Sequence, residues 1–410
     1  MKKYLFLNLC LCLCLFGCQK DEQQDEEGNG RKTIPLTRTE KEISSQHVGF
    51  AFEYFKAVNA LKGSEDKIVV SPLSASFAMT MMANGAENET LEEMKKALRI
   101  SNFTLEEVNT YNKKLMEQLA TLDKKATLLT ANSFWMNSWF EALPQFKNTL
   151  EANYDAEMKQ VDFATALPAI NQWCAEKTNG HVKEILTELD KKSRFVLLNA
   201  LYFKSEWAEK FREEDTTTEN FTNSDGEITP NVKYMNNRWE NWYYKNDLFA
   251  LASLPFGNGA FRMQFLLPNE GKELEQCINA LDEKFWEEYL LERSYAELVL
   301  KIPKYKVYTR MEQKEALKTM GVKRVFEANA ELGKLASKRS LDEELTTWQA
   351  CSFGVDEEGA VAAVVTSWNG MDMLSLPGPV VEFFVTRPFL FMVTEQSTGA
   401  FLFIGKVNKP

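Results

Sequence analysis

Residues 355–378 read VDEEGAVAAVVTSWNGMDMLSLPG. Asp356, Glu357, Glu358 and Gly359 open the stretch, and twelve residues without a charge follow, Ala360 to Met371. Val361, Val364, Val365 and Thr366 are β-branched, and Ser367, Asn369 and Gly370 interrupt what remains, so a helix is disfavoured. The alternation is too poor for a half-buried edge strand. Few folds have a place for a long, neutral loop of small residues, so whatever surrounds this segment must supply one.

The chain around it is mixed. QHVGFAFEYFKAV sets Val48, Phe52, Phe55 and Val58 on one helical face. SPLSASFAMTMMANGA starts as a helix with Ser71 as N-cap and Pro72 in the first turn, and its Ala- and Met-rich interior predicts burial on every side. TLEEMKKAL predicts a capping box from Thr90 to Glu93, and LPAINQWCAEKTNG predicts a helix ended by Asn179-Gly180. ATLLTANSFWMN and RFVLLNALYFKSEW read as buried strands. FALASLPFGNGAFRMQFLLP reads as two strands around a Gly-Asn-Gly turn, and AELVLKIPKYKVYTR alternates. The C-terminus predicts two apolar strands joined at Ser397-Thr398-Gly399. Helices come first and antiparallel strands accumulate later, which predicts an α+β fold.

The N-terminus has a different character. Lys2 and Lys3 precede an apolar run from Tyr4 to Phe16 that is too short to span a bilayer, so residues 1–17 read as a signal peptide. A small residue before a cysteine, Gly17-Cys18, resembles a bacterial lipobox, with Cys18 as the lipidated first residue of the mature chain. Residues 18–40 carry five acids between Asp21 and Glu27 and no large apolar side chain before Ile34, so they read as a disordered tether. This places the protein on the outer membrane of a Gram-negative-type envelope, on its periplasmic or its outer face. Residues 41–410 then form one domain, expected to be monomeric.

Most enzyme classes find no support. The chain has two histidines, His47 and His181, both expected to be surface or capping residues, and it lacks HExxH, GxSxG and GxxxxGK[ST]. No cluster of metal-ligand spacing stands out. Cys174, Cys277 and Cys351 are widely separated and odd in number, as expected of buried thiols rather than a disulfide framework. A formal charge of −11 disfavours nucleic acid as a partner. The reading is a non-enzyme, with no catalytic residue, metal or cofactor.

Six segments in order resemble one family, the serpins: KIVVSPLSASFAMTMMANGAENETLEEMKKAL, INQWCAEKTNGHVKEIL, VLLNALYFKSEWAEKF, LPFGNGAFRMQFLLP, KIPKYKVYTRMEQKEALKTMGVKRVF and RPFLFMVTEQSTGAFLFIGKV. The resemblance runs from about residue 42 to 410 and implies three β-sheets, about nine helices and an exposed reactive-centre loop. It implies a suicide-substrate inhibitor of serine or cysteine proteases, whose cleaved loop inserts into the main sheet and drags the acyl-enzyme with it. Glu357, Glu358 and Gly359 then form the hinge. Ala360, Val361, Ala362, Ala363, Val364, Val365 and Thr366 form the insertable strand, with Ala360, Ala362, Val364 and Thr366 on one face and none charged. Val361 departs from the glutamate usual in the family. Ser71, Ser74 and Asn199 match polar positions beneath the main sheet, with Gln349 where a histidine is usual, and Trp207 matches the tryptophan where the loop enters. The scissile bond falls at Met373-Leu374, with Leu374-Ser375 as the near alternative, which suits elastase-, chymotrypsin- or subtilisin-like targets. A non-inhibitory member of the family and a surface-binding lipoprotein are the competing readings.

Overall fold

The computed structural model describes residues 29–336, 346–360 and 379–410; Cys18, Val361–Thr366, Met373 and Leu374 lie outside them. Two compact units separate, Met1–Gly30 and Arg31–Pro410, and the second carries the fold described below.

The body opens with helix α1 (Arg38–Lys62), strand β1 (Lys67–Val70) and helices α2 (Pro72–Ala83), α3 (Asn88–Ala97) and α4 (Leu105–Leu119). Then come β2 (Thr127–Asn137), α5 (Pro144–Tyr154), β3 (Glu157–Val161), α6 (Leu167–Lys177) and β4 (Phe195–Glu206). A run of strands follows: β5 (Thr217–Thr222), β6 (Ile228–Lys245), β7 (Phe249–Pro255) and β8 (Phe261–Pro268). Helices α7 (Leu274–Asn279) and α8 (Glu283–Glu292) precede β9 (Ser294–Pro303), β10 (Tyr305–Glu312) and α9 (Lys314–Thr319). The chain ends with β11 (Thr346–Val355), β12 (Gly359–Ala360), β13 (Val380–Phe384), β14 (Phe389–Glu395) and β15 (Phe401–Val407). The fold is α+β, with nine α-helices among the described residues.

Hydrogen bonding joins the strands into two sheets, where three were expected. One has the order β1-β15-β14-β8-β7-β6-β9-β13, with β5 also on β6; the other has the order β10-β11-β4-β2-β3, with β12 also on β4. The merger has a local cause. Strand β6 is eighteen residues long. Its first half pairs with β5, its last turn-ward residues with β7, and β9 follows it through most of its length, so two faces share one ladder. AELVLKIPKYKVYTR is likewise two strands, β9 and β10, which part at Lys304 and enter different sheets.

Alternation along β4 divides the interior. Leu197, Leu201 and Phe203 join the main core between the sheets. Val196, Leu198 and Ala200 face the other way, into a smaller cluster with Ile170, Trp173 and Cys174 of α6. Helix α2 is buried throughout, as its composition predicts, and is capped by Ser71, whose hydroxyl accepts from the Ser74 amide.

Three local expectations fail. The tether does not extend to residue 40. Ile34 is buried, its amide donates to Ser397 Oγ (2.9 Å), and Thr37 and Glu40 form a capping box at the start of α1. Thr90 caps nothing; it lies inside α3, where its hydroxyl accepts from the Glu331 amide, and Glu93 accepts from the amides of Lys323 and Arg324. Tertiary partners outcompete the local box. His47 is an interior residue of α1, packed edge-on to Tyr111 at 5.3 Å, and not a surface group. Burial lowers its pKa to about 4.

Candidate functional site

The six-stranded sheet is not closed along its length. Strand β4 is held by β2 from Met136↔Phe195 to Thr127↔Lys204, and β11 is held by β10 from Glu312↔Trp348 to Tyr305↔Val355. Between them, β4 and β11 run parallel and pair over four residues, Val196–Asn199 against Thr346–Gln349. Above that point, among the described residues, the facing edges of Ala200–Lys204 and Ala350–Val355 carry no mutual ladder. Strand edges left in this state are a template for another strand.

The upper end of this slot is built from the hinge. After β11 the chain reverses through Asp356–Gly359, where each residue's amide donates to the other's carbonyl (3.1 and 3.2 Å) and Asp356 Oδ1 accepts from the Glu358 amide. It then returns as β12, antiparallel to β4, with Gly359 opposite Glu206 and Ala360 opposite Ser205. Gly359 adopts a φ of +144°, and a Cβ there would collide with the Ser205 carbonyl, so the reversal requires glycine. Ala360 is buried and joins the main core.

Trp207 forms the shelf on which this reversal rests. It follows β4 directly, stacks on Phe256 at 4.5 Å and is 2% exposed. Its indole N–H donates to the Asp356 carbonyl (3.0 Å) and its backbone amide to the Glu358 carbonyl (3.0 Å). The Phe211 amide donates to the Glu357 carbonyl. The hinge acids are fixed by charge. Glu357 is buried, pairs with Lys304 and accepts from the Thr216 hydroxyl (2.7 Å). Burial alone would raise its pKa, but these donors together hold it below the usual carboxylate range. Glu358 pairs with Lys210 at 2.5 Å, and Lys210 also reaches Glu206 on β4. The signal for the two lysines was absent from the sequence, since neither lies near the hinge in the chain.

The lower end of the slot is sealed by hydrogen bonds that join β11, α2, β4, β2 and α5. Gln349 stands opposite Asn199 in the parallel ladder. Its side-chain amide donates to the Ser71 carbonyl (2.9 Å) and accepts from the Ser71 amide (3.1 Å), fastening β11 to the head of α2. Ser74 donates to Asn199 Oδ1, Asn199 Nδ2 donates to Asn132 Oδ1, and Asn132 donates to the Tyr154 carbonyl (2.7 Å). Tyr54, Gln313 and Thr347 extend the network. Ser71, Ser74, Asn199 and Gln349 thus meet in space, joined by Asn132, which sequence reasoning missed. A buried asparagine in the apolar run of β2 was the available sign.

The chemistry of this region is that of a strand acceptor. Among the described residues no group of three His, Cys, Asp or Glu is placed to hold a metal. Burial raises the Cys351 thiol to about 12, so it is no nucleophile at neutral pH.

The comparisons with known proteins agree on one family. The model of the serpins (serine protease inhibitors) matches residues 45–410. Iripin-2 of the tick Ixodes ricinus is 30% identical over 85% of this chain and 89% of its own. A serpin-like protein of Thermococcus kodakarensis is 27% identical over 92% of this chain and 90% of its own. Among solved structures, native tengpin, a thermophilic serpin, superposes with a TM-score of 0.81 at 27% identity, covering 93% of this chain and 97% of its own. Thyroxine-binding globulin in complex with thyroxine reaches 0.80 at 22%, covering 90% of this chain and 99% of its own, a likeness of fold alone. The chain belongs to the serpin family.

Proposed function

We propose that the protein inhibits serine proteases, and cysteine proteases of similar cleft, by trapping the acyl-enzyme. The observation that carries this reading is β12: the hinge is already paired, antiparallel, with the open edge of β4. Continuing that register brings Ala362 opposite Phe203, Val364 opposite Leu201 and Thr366 opposite Asn199. Directly opposed residues share a face, so Ala362 and Val364 enter the main core, and the Thr366 hydroxyl arrives at the polar cluster below. Small, neutral side chains make that burial favourable. Val361, Ala363 and Val365 turn to the α6 layer. Insertion past Val365 must part Val196–Asn199 from Thr346–Gln349, so the polar seal sets the barrier that keeps the uncleaved protein kinetically trapped.

The bait is Met373-Leu374, with Leu374-Ser375 adjacent, and its apolar character favours elastase-, chymotrypsin- and subtilisin-like enzymes over trypsin-like ones. The acyl-enzyme forms at this bond, and insertion outruns its hydrolysis. Lipidation of Cys18 attaches the inhibitor to the outer membrane of the envelope, and the body acts as a monomer. Mixing the protein with a protease panel and running a denaturing gel tests the function. A covalent band at the summed mass is expected; cleavage without such a band identifies a non-inhibitory serpin, and an uncut chain a binding lipoprotein. Mass spectrometry of the released C-terminal fragment checks the bond: a cut outside Met371–Ser375 overturns its assignment. Cys18→Ser checks the anchor, with release from the membrane fraction expected.

A further inference from the structure

Helix α4 turns two asparagines inward: Asn109 and Asn112 are both buried, on a face that continues to Met116. Asparagine is a poor helix former, and a buried amide is costly without partners. The residue that supplies them is Tyr154. It is the last residue of α5, and its side chain has no exposure. Its hydroxyl donates to Asn109 Oδ1 (2.6 Å) and accepts from Asn112 Nδ2 (3.2 Å). Asn109 is fixed in turn by a reciprocal amide pair with Asn84, just past α2 (2.8 and 3.0 Å). The Tyr154 ring packs edge-on to Phe77 of α2 at 6.4 Å.

The backbone of Tyr154 faces the seal of the slot. Helix α5 stops here, with Asp155 left-handed at a φ of +45°, so the Tyr154 carbonyl lies past the last helical hydrogen bond. It accepts from Asn132 Nδ2 (2.7 Å), which also lies 3.7 Å from Met116 Sδ of α4. Asn132 Oδ1 accepts from Asn199 Nδ2, and this turns Asn199 Oδ1 to Ser74. Asn199 and Gln349 are the last pair before the slot opens, and they bond the head of α2 through Ser74 and Ser71. Strands β4 and β11 are thus clipped to one helix, and parting them must break a clip.

We infer that Tyr154 is a positioning residue for strand insertion, an inference that rests on the insertion mechanism proposed above. Helix α4 holds its hydroxyl, its carbonyl holds Asn132, and Asn132 keeps Asn199 aimed at the clip. Loss of the hydroxyl frees the end of α5 and loosens the seal from behind, without touching any residue of the slot itself.

The test is the rate at which the intact protein converts, on mild warming, to a self-inserted form resistant to urea on gradient gels. Tyr154→Phe is expected to convert about fivefold faster than the parent. Tyr244→Phe loses a hydroxyl bond to Glu288 (2.6 Å) at the other sheet; it should lower the urea midpoint and leave the conversion rate unchanged. Tyr154→Phe combined with Asn112→Leu separates positioning from stability. The apolar pair leaves no unpaired Asn112 amide, so the urea midpoint should recover toward the parent while conversion stays fast. Conversion of that double variant at the parent rate shows a structural role alone and overturns the inference. So does a Tyr154→Phe protein no faster than the parent, or a Tyr244→Phe protein as fast as Tyr154→Phe. If the parent yields no urea-resistant form even after its loop is nicked by a protease, the insertion mechanism fails and the inference falls with it.

Discussion

The two sheets of this molecule are held together differently. In the nine-stranded sheet the central ladders run the length of their strands: β14 pairs with β8 from Leu390 to Glu395 and with β15 from Phe389 to Thr394, and all three strands are buried at every residue. In the six-stranded sheet β4 is buried along all but its end, yet one of its edges meets β11 over four residues and β12 over two. The first sheet has satisfied its backbone locally. The second keeps hydrogen-bonding capacity in reserve, bounded above by a charged hinge and below by a polar seal. Under the proposed insertion mechanism this reserve is where a released strand would gain its stability, which would make the less complete sheet the working one.

That contrast can be broken at four points. The largest effect is expected from Ala360→Glu. It puts a carboxylate where the hinge is already buried, and an unpaired buried charge costs on the order of 3–5 kcal/mol. Covalent complex should fall by well over tenfold on a denaturing gel while cleavage of the loop continues; an undiminished complex band would remove β12 from the mechanism.

Mild acid acts first on the body of the fold. The His47 imidazole is buried, neutral and unpartnered at Nε2, with its pKa lowered to about 4. The unfolded chain takes up that proton near pH 6.5, so stability from this group is complete above 6.5 and is lost as pH falls toward 4. The loss reaches about 3 kcal/mol. Urea midpoints measured across this window should fall, and His47→Gln should flatten the slope. An unchanged slope would assign the acid sensitivity elsewhere.

Gln349→Ala opens the seal. It leaves the Ser71 amide and carbonyl without their side-chain partner, at a cost of about 1–3 kcal/mol. The urea midpoint should fall, and conversion to an inactive, self-inserted form on mild warming should accelerate. If stability falls without faster conversion, the network is structural and does not gate the slot.

The smallest effect is expected at the hinge acid. Glu357→Gln removes the charge from a pair whose lysine is about one-third exposed, so water screens part of the loss, and about 1 kcal/mol is expected. The lowered pKa of Glu357 means its contribution is present above the ordinary carboxylate range and fades as pH drops through its folded value. Parent and variant should therefore converge in strongly acidic buffer; a constant gap at every pH would show that geometry, not charge, is what the pair supplies.

Much of this was readable in advance where the physics is local. Ser71 and Pro72 announce the start of α2, Asn179 and Gly180 close α6 with positive φ, and the apolar runs at the C-terminus become β14 and β15. Gly359 marks the chain reversal that leads into β12, and the neutral run from Val361 lies outside the described residues. Less was readable where partners are distant. Thr90 and Glu93 spell a capping box but bind segments more than two hundred residues away. His47 sits on the α1 face that α4 covers, so its burial depends on Tyr111.

The amino-acid sequence by itself determined that a neutral, β-branched segment follows Gly359, since charge, β-branching and the absence of a Cβ are properties of single residues. It also determined the α+β order of elements through periodicity and caps. Only the tertiary structure decided that β4 and β11 stop pairing at Asn199 and Gln349, that Lys304 and Lys210 clamp the two hinge acids, and that Arg262 is buried among neutral acceptors. Each of these depends on which backbone edges and charges are brought together across long separations, and pairing energies of that kind exist only once the chain has chosen its neighbours.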